Sequence, residues 1–234
     1  MDRQKLKPVQ WVGSSKEDLK SFPAEVRDRF GFALYQAQSG LKHRHAKPLK
    51  GFGPGVLEVV SRHEGGAYRA VYTVRFREVV YVLHAFQKKA KKGIATPRKE
   101  METVMRRLKA ATRHWEESYG KRNRPAKSGE AEIERGSGNV YADLGVIDAD
   151  TQFLKAELVT GLDEIIRQRR LTQTDAAKLL GLSQPDVSRL LRGDFREYSV
   201  ERLLRLLLLL GRDIEIVIRD PRSRGPGRIS VEAA

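Results

Sequence analysis

Residues 171–193 read LTQTDAAKLLGLSQPDVSRLLRG, and this stretch decides the fold of the second half of the chain. Apolar residues at Ala176, Ala177, Leu179 and Leu180, and again at Val187, Leu190 and Leu191, recur at helical spacing and give two short segments one buried face each. Gly181 stands where the first segment must stop, because the position just past a helix takes the left-handed backbone that glycine adopts without strain. Ser183 is placed to cap the second helix by accepting a hydrogen bond from a free backbone N–H, and Pro185 suits a first turn whose N–H groups have no helical acceptor. The pattern predicts two helices joined by a tight turn, with the second presenting Gln184, Ser188 and Arg189 outward.

Outward from that pair, Phe153, Leu154, Leu158, Leu162, Ile165 and Ile166 form an amphipathic helix leading in, and Ser199 caps a helix running to Leu210. Together these make a small helical bundle. Residues 211–220, GRDIEIVIRD, alternate Ile214, Ile216 and Ile218 against Glu215, Val217 and Arg219, the period of a strand. Such a strand adds to a partner's sheet, meets a second copy across a two-fold axis, or folds back on its own domain, and periodicity does not choose among these. Residues 221–228 are a basic, Gly/Pro-rich tail. Before the bundle, residues 120–139, GKRNRPAKSGEAEIERGSGN, are polar and aperiodic and read as a linker, with a reach of about 25 Å as a flexible coil.

The first half alternates differently. Residues 10–12 read as a short strand, and Ser15 with Asp18 three residues on is a capping pattern. Pro23 opens a longer helix whose Val26, Phe30, Ala33, Leu34 and Ala37 share a face, with Arg27, Asp28 and Arg29 turned to water and Gly40 at its end. Residues 43–50, HRHAKPLK, form a basic loop expected to be exposed, in which Lys47 and Lys50 are cations able to hold phosphates. His43 and His45 lack a third ligand nearby, so no metal is expected. Strands follow at 56–60, 68–76 and 79–86, joined closely enough to pair antiparallel. Alternation in the middle one puts Tyr68, Ala70, Tyr72, Val74 and Phe76 on one face and Arg69, Val71, Thr73 and Arg75 on the other. His84 shares the face of Phe86. Lys88, Lys89, Lys91 and Lys92 come next, then a helix from Pro97 to about Glu117 with Met101, Val104, Met105 and Leu108 on one side.

The 234 residues suit two domains of ordinary size. A formal charge of +15 favours a polyanionic partner, and its distribution is uneven: residues 1–120 hold 25 Lys+Arg against 12 Asp+Glu, residues 121–234 hold 20 against 18. The excess cation, +13 against +2, therefore lies away from the helix-turn-helix pattern. Without cysteine there is no disulfide framework and no thiolate zinc site. No cofactor is expected. The first residues lack the apolar core of a signal peptide and no apolar run approaches a membrane span, so a cytoplasmic protein with no membrane partner is expected.

The pattern at 171–193 resembles the helix-turn-helix of the Cro/repressor-like (XRE) family, which includes HigA-type antitoxins. The resemblance implies operator DNA as partner, with Gln173 at the family's phosphate-contacting position, Ser183 at the start of the reading helix, Gln184, Ser188 and Arg189 facing base edges, and Gly193 as terminator. It also implies a homodimer on paired half-sites. In the first half, PLKGFGPGVLEV, GGAYRAVYTV and VYVLHAFQKKAKK are similar to toxins of the RelE/ParE superfamily, in the phage-derived HigB-type branch. VYADLG, at 140–145, resembles the leader of HigA-type antitoxins, which implies a segment ordered against the toxin.

The resemblance thus implies an α+β chain: a RelE-like domain over 1–119, with a helical hairpin on a small antiparallel sheet plus a C-terminal helix, a linker over 120–139, and an all-α helix-turn-helix domain with a C-terminal strand over 140–234. The first domain would be an endoribonuclease cutting messenger RNA on the ribosome. Its ribose 2′-OH attack needs a base, an acid and cations for the extra charge on phosphorus. The resemblance gives Arg69 the phosphate clamp and Lys88 and Lys89 the developing charge, while the charge and position of Lys47, Lys50, Arg75, Lys91 and Lys92 make them candidates for the RNA backbone. Glu58 and Val60 stand where some members carry lysines, and no tyrosine follows the last strand. Two alternatives stay open: a non-catalytic transcriptional regulator with a degenerate toxin domain, and a ParE-like gyrase inhibitor. In the toxin reading the two halves contact each other within or between chains.

Overall fold

A computed structural model describes residues 6–88, 98–119, 131–218, 229 and 231. They form two compact units that divide between Ala149 and Asp150. The first contains β1 (Val9–Val12), α1 (Ser15–Lys20), α2 (Ala24–Gln38), β2 (Lys47–Pro48), β3 (Val56–His63), β4 (Gly66–Thr73), β5 (Val80–Lys88), α3 (Arg98–Ser118), β6 (Ile133–Arg135) and α4 (Val140–Asp143). Its sheet has the order β2-β3-β4-β5-β1-β6. The three expected strands pair antiparallel, and β1 lies parallel to β5 with Val9 opposite Val80. β5 carries a bulge, with Val71 opposite His84 and Tyr72 opposite Val82, so Leu83 is the extra residue.

Alternation assigns the faces. Tyr68 meets Phe22 and Ser61 meets Arg29, so the α1–α2 pair lies on their side of the sheet. α3 lies on the other, where Val71, Leu83 and Phe86 join its Val104 and Leu108 in one core. The buried stripe of α3 is Val104, Arg107, Leu108 and Ala111, whereas Met105, read as part of it, is 39% exposed. Ser15 is not the cap. Ser14 occupies that place, and Ser15 is helical and buried, donating to the Val82 carbonyl while accepting from the Val12 N–H. The basic loop is also less exposed than its charge suggests: His43 is buried with its ring edge against Phe32, and Ala46 and Leu49 are buried, while Lys47, in the edge strand β2, stays exposed.

α2 departs most from its sequence reading. Asp28, expected in water, is buried, as are Gly31, Phe32, Tyr35 and Gln36. The cause is a second layer: α4 packs on the face of α2 that the sheet does not cover. Residues 131–149, read from the sequence as the end of a linker and the start of the second domain, complete the first unit. Ile133 pairs with Val12 in an antiparallel β6–β1 contact, and Gly13 N donates to the Glu132 carbonyl at 2.7 Å. Trp11 Nε1 donates to Asp143 Oδ2 at 3.1 Å, Asn139 caps α4 through the N–H groups of Tyr141 and Ala142, and Arg27 donates to the carbonyls of Leu144 and Gly145. Tyr141 is fully buried, its ring only 2.7 Å from where a Cβ on Gly31 would stand.

The second unit is helical: α5 (Ala149–Gln168), α6 (Gln173–Leu180), α7 (Gln184–Leu190) and α8 (Val200–Leu209). Its core joins Leu158, Leu162, Ile165 and Ile166 of α5 to Ala176, Leu180, Val187, Leu190, Phe195, Leu203 and Leu206. Gly181 has φ +63° and ends α6, as its position predicts. Two expectations change. Leu179 is 47% exposed, and residues 212–218 carry no secondary structure, with Ile216 and Ile218 exposed, because the strand finds no neighbour within its own unit to pair with.

Candidate functional site

Register places the first unit's candidates on the α3 face of the sheet. Glu58, Val71 and His84 stand opposite one another across β3, β4 and β5, then Val60, Arg69 and Phe86, then Arg62, Ala67 and Lys88. Arg69 and Lys88 thus stand in adjacent rows of one sheet face. Arg69 is not an open cation, however. Its Nη1 donates to Glu58 Oε1 at 2.6 Å, and the two side chains are 12% and 14% exposed. A phosphate approaching Arg69 meets a carboxylate already seated there. Arg69 Nε is buried without a hydrogen-bond partner, so one donor of the fork remains unspent.

His84 belongs to a polar network the sequence did not reveal. Nε2 lies 2.6 Å from Glu100 Oε2, Nδ1 lies 3.1 Å from Arg107 Nη1, and the ring stacks on Phe86. A guanidinium only donates, so Nδ1 must accept, which puts the imidazole proton on Nε2, where it is donated to Glu100. The ring is neutral and its role is fixed. Burial, the largest cause, lowers the His84 pKa, with the Arg107 charge acting in the same direction against the raising effect of Glu100. Arg107 also donates to the Leu83 carbonyl and to Ser14 Oγ, so it ties α3 to the bulge in β5. Glu100, Val104, Arg107 and Ala111 share one helical face, and that period was the one sequence signal available for the network.

The remaining RNA candidates separate. Lys47 and Lys50 are exposed near the β2 edge. Arg75 donates Nη2 to the Phe52 carbonyl at 2.7 Å and Nε to that of Pro54 at 3.3 Å, holding the 51–55 loop. Gly55 is required there, since a Cβ would stand 2.9 Å from the Arg75 Cα at a backbone φ of +82°. Lys89, Lys91 and Lys92 lie outside the described residues. Among the described residues no cluster of metal-ligating side chains occurs.

In the second unit the turn between α6 and α7 is fixed by matching caps. Thr172 Oγ1 accepts from the Asp175 N–H and donates to its carboxylate, and Ser183 Oγ does the same with Asp186. Ser183 is thereby spent as a cap. Gln184 Nε2 donates to Gln173 Oε1 at 2.6 Å, which joins the first residues of both helices in one exposed polar pair. Arg189 is exposed and ion-paired to Asp186, while Ser188 is half-buried and accepts from Arg192. Hydrogen bonds from Ser183, then from Arg189, hold the Asp186 carboxyl below its ordinary pKa.

Geometry therefore defines two units in one chain: a mixed sheet-and-helix unit whose Arg69 is neutralised by Glu58, and a helix-turn-helix whose second helix is exposed along Gln184, Pro185 and Arg189. Residues 17–109 match the family model described as "Phage derived protein Gp49-like (DUF891)", and residues 140–219 match a helix-turn-helix domain family. A solved chain named as a candidate XRE-family transcriptional regulator is 47% identical to this one, over 38% of this chain and 100% of its own, with a TM-score of 0.36. No curated protein matches the chain. The chain joins a Gp49-like phage-derived domain to a DNA-binding helix-turn-helix domain. No helix among the described residues is long and apolar enough to cross a membrane.

Proposed function

We propose that the chain is a toxin and its antitoxin in one polypeptide, the first unit cleaving messenger RNA on the ribosome and the second repressing its own operon as a dimer in the cytoplasm. One observation carries the joint reading: the segment resembling an antitoxin leader is folded into the first unit, with β6 on β1 and Tyr141 sealed against α2. A segment bound that way keeps the two halves together if the chain between Ser118 and Ile133 is cut. In the nuclease, Arg69 holds the scissile phosphate and Glu58, 2.6 Å from it, takes the 2′-OH proton. Lys88 and Lys89 stabilise the developing charge, and Lys47, Lys50, Arg75, Lys91 and Lys92 contact the RNA backbone.

The Arg69–Glu58 pair equally favours a second reading, in which the sheet unit is a degenerate toxin serving a regulator. A chain ending at Ala149 keeps the compact unit whole and is the right test object. Ribosome-bound message incubated with it is expected to be cut, Glu58→Gln is expected to abolish cutting, and Arg69→Lys to reduce it at least tenfold. No cutting by either the Ala149-ended chain or the full chain favours the degenerate reading. DNA gyrase inhibited in the same preparation would replace both with a gyrase poison.

A further inference from the structure

We propose that the cleft between the α1–α2 bend and the end of β5 binds a guanine base, on the side of the sheet opposite Arg69. Tyr68 and Gln87 project from that side, so the cleft is independent of the nuclease reading of Arg69.

The cleft has a volume of about 550 Å³, within the size range of small-molecule sites. Its lining includes Asp18 from α1, Phe22 and Pro23 from the bend between the helices, and Tyr68 and Gln87, which stand opposite each other on β4 and β5. The Phe22 and Tyr68 rings meet edge to face with centroids 4.9 Å apart and supply the aromatic surface on which a planar base stacks. Gln87 Nε2 donates to the Tyr68 hydroxyl at 3.1 Å, which leaves Gln87 Oε1, the second amide hydrogen and the Tyr68 O–H unspent among the described residues. Gly66 makes room for this pair, since a Cβ there would stand 2.7 Å from Gln87 Nε2 and 3.2 Å from the Tyr68 ring. Asp18 Oδ2 accepts from Ser14 Oγ at 2.8 Å and lies 3.8 Å from Arg107 Nη1, so the carboxylate is held in place. Its Oδ1 has no hydrogen-bond partner among the described residues.

These free groups select the base. A carboxylate only accepts, and it is satisfied best by two neighbouring N–H donors. Guanine presents N1–H and the N2 amino group side by side, with O6 next to them as an acceptor for the Tyr68 O–H or the Gln87 amide. Adenine and cytosine set a bare ring nitrogen beside their amino group, which an anion repels. Uracil offers a single N–H between two carbonyls. The phosphate that accompanies the base is drawn by the excess of 13 positive charges over residues 1–120.

Isothermal titration calorimetry of the full chain with the monophosphates of guanosine, inosine, adenosine, cytidine and uridine is the test. Guanosine monophosphate is expected to bind at least about tenfold more tightly than the other four, inosine included, which lacks only the N2 amino group. Asp18→Asn is expected to erase that preference, and Gln87→Ala, at an exposed position, to weaken guanosine monophosphate by about fivefold with the melting temperature unchanged. No binding, equal binding of all five, or a guanine preference that survives both substitutions overturns the proposal. If Asp18→Asn does not fold, an unchanged affinity in Gln87→Ala overturns it alone. A 2′-O-methyl oligonucleotide carrying one guanosine separates the two sources of the base. Displacement of guanosine monophosphate by that strand, and not by its inosine counterpart, makes the ligand part of an RNA strand. No displacement makes it a free nucleotide, and the cleft is upheld either way.

Discussion

Each unit places an arginine of functional interest against a carboxylate, and the two pairs differ in what surrounds them. Arg69 and Glu58 meet on the inner face of a sheet with about an eighth of each side chain exposed, whereas Arg189 and Asp186 meet on the open face of α7. In water an ion pair contributes little and opens readily, so Arg189 can leave Asp186 for another acceptor at small cost. Away from water, separating the charges leaves each without solvent, so Arg69 is held until something equally anionic arrives. In the proposed reading, the helix-turn-helix end can therefore meet DNA without first breaking a buried contact. Under the proposed function the same carboxylate would act as the base of the sheet end, and under the degenerate reading it would silence that end.

The comparison breaks first at the boundary between the units. Tyr141→Ala is expected to destabilise the first unit by about 3–5 kcal/mol in a denaturant titration, because a fully buried aromatic ring is removed. It should leave the second unit's transition in place. A loss confined to the second unit would return residues 131–149 to the helix-turn-helix domain. Next, Arg69→Ala should cost about 2–3 kcal/mol by leaving Glu58 half-desolvated and alone, while Arg189→Ala should not move the melting temperature measurably. Equal small effects would mean that the buried pair behaves as a surface pair.

If Gln184 reads a base as proposed, Gln184→Ala is expected to weaken binding to the preferred operator by about 1–3 kcal/mol in a gel shift and to relax sequence preference, since the change also removes its bond to Gln173. Unchanged preference would remove Gln184 from base recognition. The smallest effect concerns pH. All five histidines precede residue 150, and burial holds His84 neutral, its pKa below the ordinary value near 6.5. The stability this contributes is complete above the unfolded value and is lost as pH falls through the folded one. The first unit should therefore melt at lower temperature at pH 5.5 than at pH 7.5, and His84→Gln should flatten that slope.

Elements whose stability is local were legible without the structure. Gly181, Ser183 and Pro185 specify the turn between α6 and α7, and the β3–β4–β5 meander follows from close connections and alternation. Arg69 was legible as a residue but not in its state, because its partner Glu58 is eleven residues away on the next strand. The His84 network escaped for the same reason: its members come from α1, β5 and α3, and only packing brings Ser14, Asp18, His84, Glu100 and Arg107 together. Asp28 and His43 looked solvent-bound because polarity predicts exposure only when nothing else covers the residue.

The sequence by itself determined that this chain carries a helix-turn-helix, that a basic sheet domain precedes it, and that a polar run lies between. These depend on period, turn chemistry and composition, which act within a few residues. Only the tertiary structure decided where the first unit ends. A polar run says that a segment has no core of its own, but whether the chain beyond it joins the unit behind or the unit ahead depends on which one offers an open strand edge and an uncovered helix face. β1 and α2 offer both, and residues 131–149 complete them.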